Sequence, residues 1–79
     1  MVKLTRLQRS NMAHYRLSNK AEEKHRFSKI GSMEYFQSHT SMIYHDDVYA
    51  KQRYLGRMLS KTEKKAIYQK AKTMTLKGE

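Results

Sequence analysis

Three arginines near the start of the chain are spaced as residues on one side of a helix are. Arg6, Arg9 and Arg16 are separated by three and seven residues, and residues at these intervals fall on one face of an α-helix. A guanidinium group is planar and always charged, so each arginine can form paired hydrogen bonds with phosphate oxygens. The spacing therefore predicts an arginine stripe that binds a polyanion such as nucleic acid.

The charge of the whole chain favours the same kind of partner. The net charge is +10, to which residues 1–29 contribute +6 and residues 51–79 contribute +7, while residues 30–50 contain no Lys or Arg and contribute −3. Such a field attracts polyanions and concentrates them where the basic ends converge. In the second basic end, helical spacing predicts further phosphate contacts at Arg53, Arg57, Lys61, Lys65 and Lys72.

Tyrosines lie among these positive charges. Four of them are within four residues of an Arg or Lys, namely Tyr15, Tyr49, Tyr54 and Tyr68. Aromatic rings beside cations can stack on the exposed bases of single-stranded nucleic acid. Because aliphatic residues are few, we expect most of these rings to lie in the core or at its edge.

The middle segment contains residue types that can bind metal ions, but their spacing does not favour a metal site. His39 and His45 are followed by Asp46 and Asp47, but the gap between the histidines fits neither a one-turn helical pair nor a common zinc spacing. The aspartates are better explained as helix caps. The chain has no Cys, so a thiolate site is excluded. We therefore expect no metal and no other cofactor.

Catalysis has little support in the sequence. Arg9 and His14 have an R-x4-H spacing that resembles a short motif of some helical ribonucleases, in which the His acts on the ribose hydroxyl and the Arg stabilises phosphate. No Gly-rich phosphate loop, nucleophile elbow or inward carboxylate pair accompanies this spacing. We therefore expect a protein that is not an enzyme and has no catalytic residues.

The positions of the capping residues predict where helices begin and end. The chain has no Pro and only three Gly, which makes helices the default. Capping boxes predict three helices: one from Thr5 to about 17, one from Asn19 to about 30 and one from Ser60 to about 74. Between the second and third of these helices, Ser32 is expected to cap a short turn through Met33 and Phe36. Residues 38–41 predict a polar connection, residues 42–44 an extended segment, and residues 47–59 a helix capped by Asp46 or Asp47.

These elements predict an all-α fold: a small bundle of four to five short helices that forms a single basic domain over residues 1–79. The core is thin, since Leu, Ile, Val and Phe together occupy 13 of the 79 positions. A domain of this size contributes only a few kcal/mol of net stability. We therefore expect marginal stability in isolation.

The function that these patterns favour is cytoplasmic, non-enzymatic nucleic-acid binding through phosphates. RNA is somewhat favoured over DNA, because no groove-reading motif is visible. No apolar stretch approaches the length needed to cross a bilayer, so we expect no membrane partner. The alternative is a small, phage-type regulator or inhibitor that docks on an acidic surface of a larger enzyme or nucleoprotein complex. Its contact residues would be Tyr35, Phe36 and Tyr44, since aromatic residues are enriched at interface cores.

Overall fold

Three helices joined by short loops make up the described part of the chain. A computed structural model describes residues 3–78, in the order α1 (Arg6–Phe27), α2 (Met33–Leu55) and α3 (Lys61–Lys77). The predicted all-α class is confirmed. The predicted number of helices is wrong, because the described residues form three helices in place of four to five shorter ones. None of these helices is both long and apolar enough to cross a membrane.

Hydroxyl side chains begin all three helices. Before α1, Thr5 Oγ1 accepts a hydrogen bond from the Gln8 N–H (3.1 Å) and Gln8 Oε1 accepts one from the Thr5 N–H (2.9 Å). Ser60 and Glu63 form the same reciprocal pair before α3, so two of the three predicted capping boxes are confirmed. Ser32 caps α2 through the Tyr35 N–H. These contacts satisfy backbone donors that the first turn of a helix leaves unpaired.

The capping box predicted at Asn19 and Glu22 is wrong. Both residues lie inside α1, which runs without interruption to Phe27. Ser18 and Ala21 are buried on the side of α1 that faces α2. Burial therefore continues across the predicted break, and tertiary packing outweighs the local capping signal.

The polar connection at residues 38–41, the extended segment at residues 42–44 and the aspartate cap are also wrong, since all of these residues are helical within α2. Two polar residues of this segment, Ser38 and Thr40, are buried and hydrogen-bonded. Ser38 Oγ donates to the Tyr35 carbonyl (3.1 Å), and Thr40 Oγ1 donates to Thr75 Oγ1 (2.9 Å) on α3. Asp47 pairs with Lys51 one turn further along the helix (3.5 Å).

The helix predicted over residues 47–59 is the last part of α2, and it ends four residues earlier than predicted. Gly56 has a φ of 69°, in the left-handed region, and its N–H donates to the Gln52 carbonyl. Glycine adopts this conformation without the steric penalty that a Cβ imposes, which makes it a common residue at helix ends.

The middle helix lies between the other two. α2 packs against both α1 and α3, whereas α1 and α3 do not contact each other within the described chain. The molecule is consequently flattened, with extents of 44, 28 and 16 Å. Its radius of gyration of 13.5 Å exceeds the roughly 11.6 Å expected for a compact chain of this length.

The apolar core is small and lies between α2 and α3. It consists of Val48, Leu59 and Ile67, with Tyr44 packed against it. The interface between α1 and α2 contains buried polar side chains by contrast, among them Ser18, Ser38 and, near the C-terminal end of α2, the fully buried Gln52. No buried side-chain nitrogen or oxygen lacks a hydrogen-bond partner among residues 3–78. Hydrogen bonds between buried side chains therefore help to fix how the helices pack, as apolar side chains do in larger cores.

Candidate nucleic-acid interface

The predicted arginine stripe lies on the outer side of α1. This helix contacts α2 through residues such as His14 and Ser18, which bond to His45 (2.8 Å) and to the Met42 carbonyl (3.4 Å). Arg9 is nine residues from Ser18, which corresponds to two and a half turns and hence to the opposite side of the helix. Arg6, Arg9 and Arg16 are all exposed. We call these three residues the arginine edge.

No side chain of the described residues pairs with the charges of the arginine edge. Arg6, Arg9 and Arg16 form no salt bridge and no side-chain hydrogen bond with any residue that the structure describes. The first turn of α1 contains no acidic residue, and Glu22 pairs with Arg26 at 3.5 Å. A phosphate group that approaches the arginine edge would therefore contact guanidinium groups that no carboxylate of the described residues already binds.

The two arginines at the end of α2 have partners within the chain. The Arg53 guanidinium lies over the Tyr49 ring, 5.5 Å from its centre, and donates to the Tyr49 hydroxyl (3.1 Å). Arg57 forms a two-pronged pair with Glu63, with N···O distances of 2.9 and 3.0 Å. Hydrogen bonding to Arg57, and secondarily to the Ser60 backbone, lowers the pKa of Glu63 to about 2. Arg57 is thus already neutralised by a carboxylate of its own chain.

The lysines of α3 form a separate surface. Lys61, Lys65 and Lys72 are exposed and line a groove between α2 and α3. Lys64 lines the same groove but is not among the residues predicted from the sequence. Its four-residue spacing from Tyr68 and Lys72 places it on the same side of α3 and is the signal that could have predicted it. We call Lys61, Lys64, Lys65 and Lys72 the lysine wall. Because α2 separates α1 from α3, the structure does not bring the lysine wall into contact with the arginine edge.

Two of the three aromatic residues predicted for a protein interface line the groove between α2 and α3. Phe36 and Tyr44 line the groove beside the lysine wall, and neither is fully buried. Tyr35 does not line the groove; its ring packs against His25 of α1, with ring centres 4.3 Å apart, and against Phe36, with ring centres 5.7 Å apart. Two of the three residues therefore share a surface that is accessible to a partner.

The histidines lie between the helices. The Nδ1 atoms of His14 and His45 are 2.8 Å apart, so one ring must donate to the other. Burial lowers the pKa of both, and the charge of Lys64 lowers the pKa of His14 further. Burial, followed by the charge of His25, lowers the pKa of His39.

The residues considered for metal binding and catalysis do not converge. His39 bonds to Thr75 (2.9 Å), whereas His45 bonds to His14. No group of three His, Asp or Glu side chains that could hold a metal ion occurs among residues 3–78. Arg9 faces outward from α1, while His14 faces α2, so the R-x4-H spacing does not bring its two side chains together.

Comparisons with protein-family models, with curated proteins and with solved structures give no match to this chain. The fold and the surfaces define it as a small, basic, all-α protein with two separate cationic regions. One is the arginine edge of α1, and the other is the lysine wall of the groove between α2 and α3.

Proposed function

We propose that the protein binds nucleic acid without catalysis, and that the arginine edge makes the main phosphate contacts. The observation that carries this proposal is the exposure of three arginines on one side of α1, none of which forms an ion pair with a carboxylate of residues 3–78. Arg6 and Arg16 are about 15 Å apart along the helix axis. Since duplex DNA carries one charge per roughly 1.7 Å of its axis, several phosphates fall within that length.

The proposed mode of binding is electrostatic. Each phosphate contact releases counterions, so the logarithm of the affinity falls with the logarithm of the salt concentration by about 0.9 per contact for a duplex and about 0.7 for a single strand. The three arginines together account for a slope contribution of roughly 2 to 3. Arg53 and the lysine wall add long-range attraction through the net charge of +10.

RNA is the favoured partner. α1 presents an exposed charged face, and no helix-turn-helix or other groove-reading motif accompanies it in the sequence. Contacts to phosphates position a protein on nucleic acid but carry no sequence information directly. We therefore expect weak discrimination between sequences, with any preference set by the shape of the nucleic acid.

A triple substitution with a matched control tests the proposal. Arg6→Ala, Arg9→Ala and Arg16→Ala together remove three charges from the arginine edge. Lys29→Ala, Lys70→Ala and Lys77→Ala together remove three charges from exposed positions elsewhere. The two variants have equal net charges, each three lower than the +10 of the unmodified protein, and neither alters a buried residue. Fluorescence anisotropy with labelled single-stranded RNA, duplex RNA and duplex DNA, over a series of salt concentrations, gives the affinity and its salt slope.

The arginine variant should lose most of its affinity and reduce the salt slope by about 2 to 3, because three phosphate contacts disappear. The lysine control should lower the affinity only through the weaker overall field and leave most of the slope in place. Equal affinities and equal slopes for the two variants would contradict the proposed role of the arginine edge. Absence of binding by the unmodified protein at low salt would contradict the proposed function itself.

A further inference from the structure

The groove between α2 and α3 is an open apolar surface on a protein that has few apolar residues. Its volume is about 950 Å³. The floor contains Phe36, Tyr44 and Tyr68, and Phe36 and Tyr68 are 40% and 46% exposed. Met33 and Leu76 lie at the end where α2 begins, with 72% and 74% of their surface exposed. Contiguous exposed apolar surface of this kind marks interaction sites in soluble proteins.

The chain exposes more surface than a compact protein of its size. Its accessible area is 6264 Å² for a mass of 9.4 kDa, whereas a compact monomer of that mass exposes about 5,000 Å². The difference of roughly 1,200 Å² exceeds the approximately 800 Å² that each partner buries in an interface of standard size. The flattened fold therefore leaves enough surface for one ordinary protein partner.

The charge of the groove indicates the chemistry of that partner. All four residues of the lysine wall line the groove, and no Asp or Glu among residues 3–78 lines it. None of the four forms a salt bridge with a residue that the structure describes. A second copy of this chain is a poor occupant, because it would add another charge of +10 to the same surface. An acidic partner would gain attraction along the whole wall.

The dimensions of the groove favour a helix. Lys61 and Lys72 are eleven residues apart on α3, so the wall is about 16 Å long, or three helical turns. The groove combines the four lysines, all on α3, with aromatic residues of α2 and α3. A helix with one apolar side and acidic residues beside it complements both, and amphipathic helices bind grooves in this way.

We propose that this groove binds an acidic amphipathic helix of a partner protein. Apolar side chains spaced three or four residues apart on that helix contact Phe36, Tyr44 and Tyr68, and its carboxylates pair with the lysine wall. This inference goes beyond nucleic-acid binding. Because α2 separates the groove from the arginine edge, one molecule can hold both partners at once.

The aromatic floor is less suited to the bases of single-stranded nucleic acid. Tyr44 already meets His14, His45 and Tyr68 with its ring steeply inclined to each of theirs, at interplanar angles of 80°, 67° and 79°. Base stacking needs an open ring face, and Tyr44 is only partly exposed beside these three rings. Met33 and Leu76 contribute aliphatic surface, which packs against protein side chains.

The experiment uses three labelled probes. The first is a peptide of about 15 residues with Leu or Phe along one side of a helix and Glu elsewhere. The second has the same composition, with its apolar residues distributed around the helix. The third is a single-stranded oligonucleotide of similar charge. Fluorescence anisotropy gives the dissociation constants, and changes in amide chemical shifts locate each probe on the full-length protein.

Two charge reversals of equal net charge separate the groove from the overall field. Lys65→Glu with Lys72→Glu alters the lysine wall, whereas Lys70→Glu with Lys77→Glu alters exposed positions of α3 outside the groove. All four positions are exposed, so both variants should keep the fold. The first should weaken binding of the amphipathic peptide by at least about tenfold, and the second by less than about twofold.

A second pair of variants tests the apolar contribution. Met33→Ser with Leu76→Ser removes exposed apolar residues of the groove, and Phe27→Ser with Ile30→Ser removes equally exposed ones outside it. Only the first pair should weaken binding of the peptide. The triple alanine variant of the arginine edge should bind the peptide as the unmodified protein does, which separates this inference from nucleic-acid binding.

Four results would overturn the inference. These are absence of binding by the amphipathic peptide, equal binding of the two peptides, equal weakening by the two charge reversals, or chemical-shift changes outside the groove. Binding of the oligonucleotide that is lost on Lys65→Glu with Lys72→Glu, while the peptide does not bind, would assign the groove to nucleic acid instead.

Discussion

Gln52 offers the sharpest test of how this fold is held together. Its side chain is fully buried and makes three hydrogen bonds. Nε2 donates to Ser10 Oγ (3.2 Å) and to Asn11 Oδ1 (2.8 Å), and Oε1 accepts from the Leu59 N–H (3.2 Å). One polar side chain of α2 thereby connects α1 with the loop that leads to α3.

The substitution Gln52→Ala removes all three bonds. A hydrogen bond contributes about 1 kcal/mol net, and a buried donor left without a partner, such as the Leu59 N–H, costs about 1 to 3 kcal/mol. The cavity left by the shortened side chain adds about 1 kcal/mol, and the higher helix propensity of Ala returns less than about 0.5 kcal/mol. Counting the bonds to Ser10 and Asn11 at about 1 kcal/mol each, we expect the free energy of unfolding to fall by roughly 3.5 to 5.5 kcal/mol, a large share of the total for a domain of this size.

Urea denaturation followed by circular dichroism measures this change. Gln69→Ala is the matched control, because it makes the same substitution at an exposed position of α3; its effect should stay within about 0.5 kcal/mol. A double-mutant cycle with Asn11→Ala should give a coupling free energy of about 0.5 to 1.5 kcal/mol. If Gln52→Ala and Gln69→Ala are equally stable, or if the cycle shows no coupling, the proposed stabilising role of the Gln52 hydrogen bonds is refuted.

Three further predictions concern stability and titration. Acidification from about pH 7.5 to about pH 5 should lower the unfolding temperature. Burial holds the pKa of His14 and His45 below 6.5, so the unfolded chain binds more protons than the folded one as the pH falls. An unfolding temperature that stays constant or rises would contradict this. The Glu63 carboxyl should titrate near its pKa of about 2 in an NMR experiment, and Arg57→Ala should move that pKa towards 4.5; an unchanged value would exclude the pairing as its cause. Gly56→Ala should lower the free energy of unfolding, measured by urea denaturation, by about 1 kcal/mol. The reason is the φ of 69°, which disfavours any residue with a Cβ, and not crowding, since an added Cβ meets no neighbouring atom within 4 Å. An equally stable variant would show that the helix end tolerates alanine.

Local sequence signals predicted the features that depend on neighbouring residues. The capping boxes at Thr5 with Gln8 and at Ser60 with Glu63 involve residues three positions apart, and both occur as predicted. The exposure of Arg6, Arg9 and Arg16 on one side of α1 follows from spacing alone. The all-α class follows from the absence of Pro and the scarcity of Gly.

Contacts between distant residues decided the remaining features. Ser38 and Thr40 resemble a loop in sequence, but they lie in α2 because partners on the same or another helix satisfy their hydroxyl groups. Thr40 and Thr75 are 35 residues apart, so no local pattern reveals that their hydroxyl groups pair.

The sequence by itself determined the helical class, two of the three helix starts, the net charge and the arginine stripe, because each depends on composition or on spacing within a few residues. Only the tertiary structure decided that Arg57 is neutralised by Glu63, that Gln52 connects α1 with the loop before α3, and that the lysine wall borders an apolar groove. These features arise because α2 lies between α1 and α3, and that placement fixes which side chains face each other.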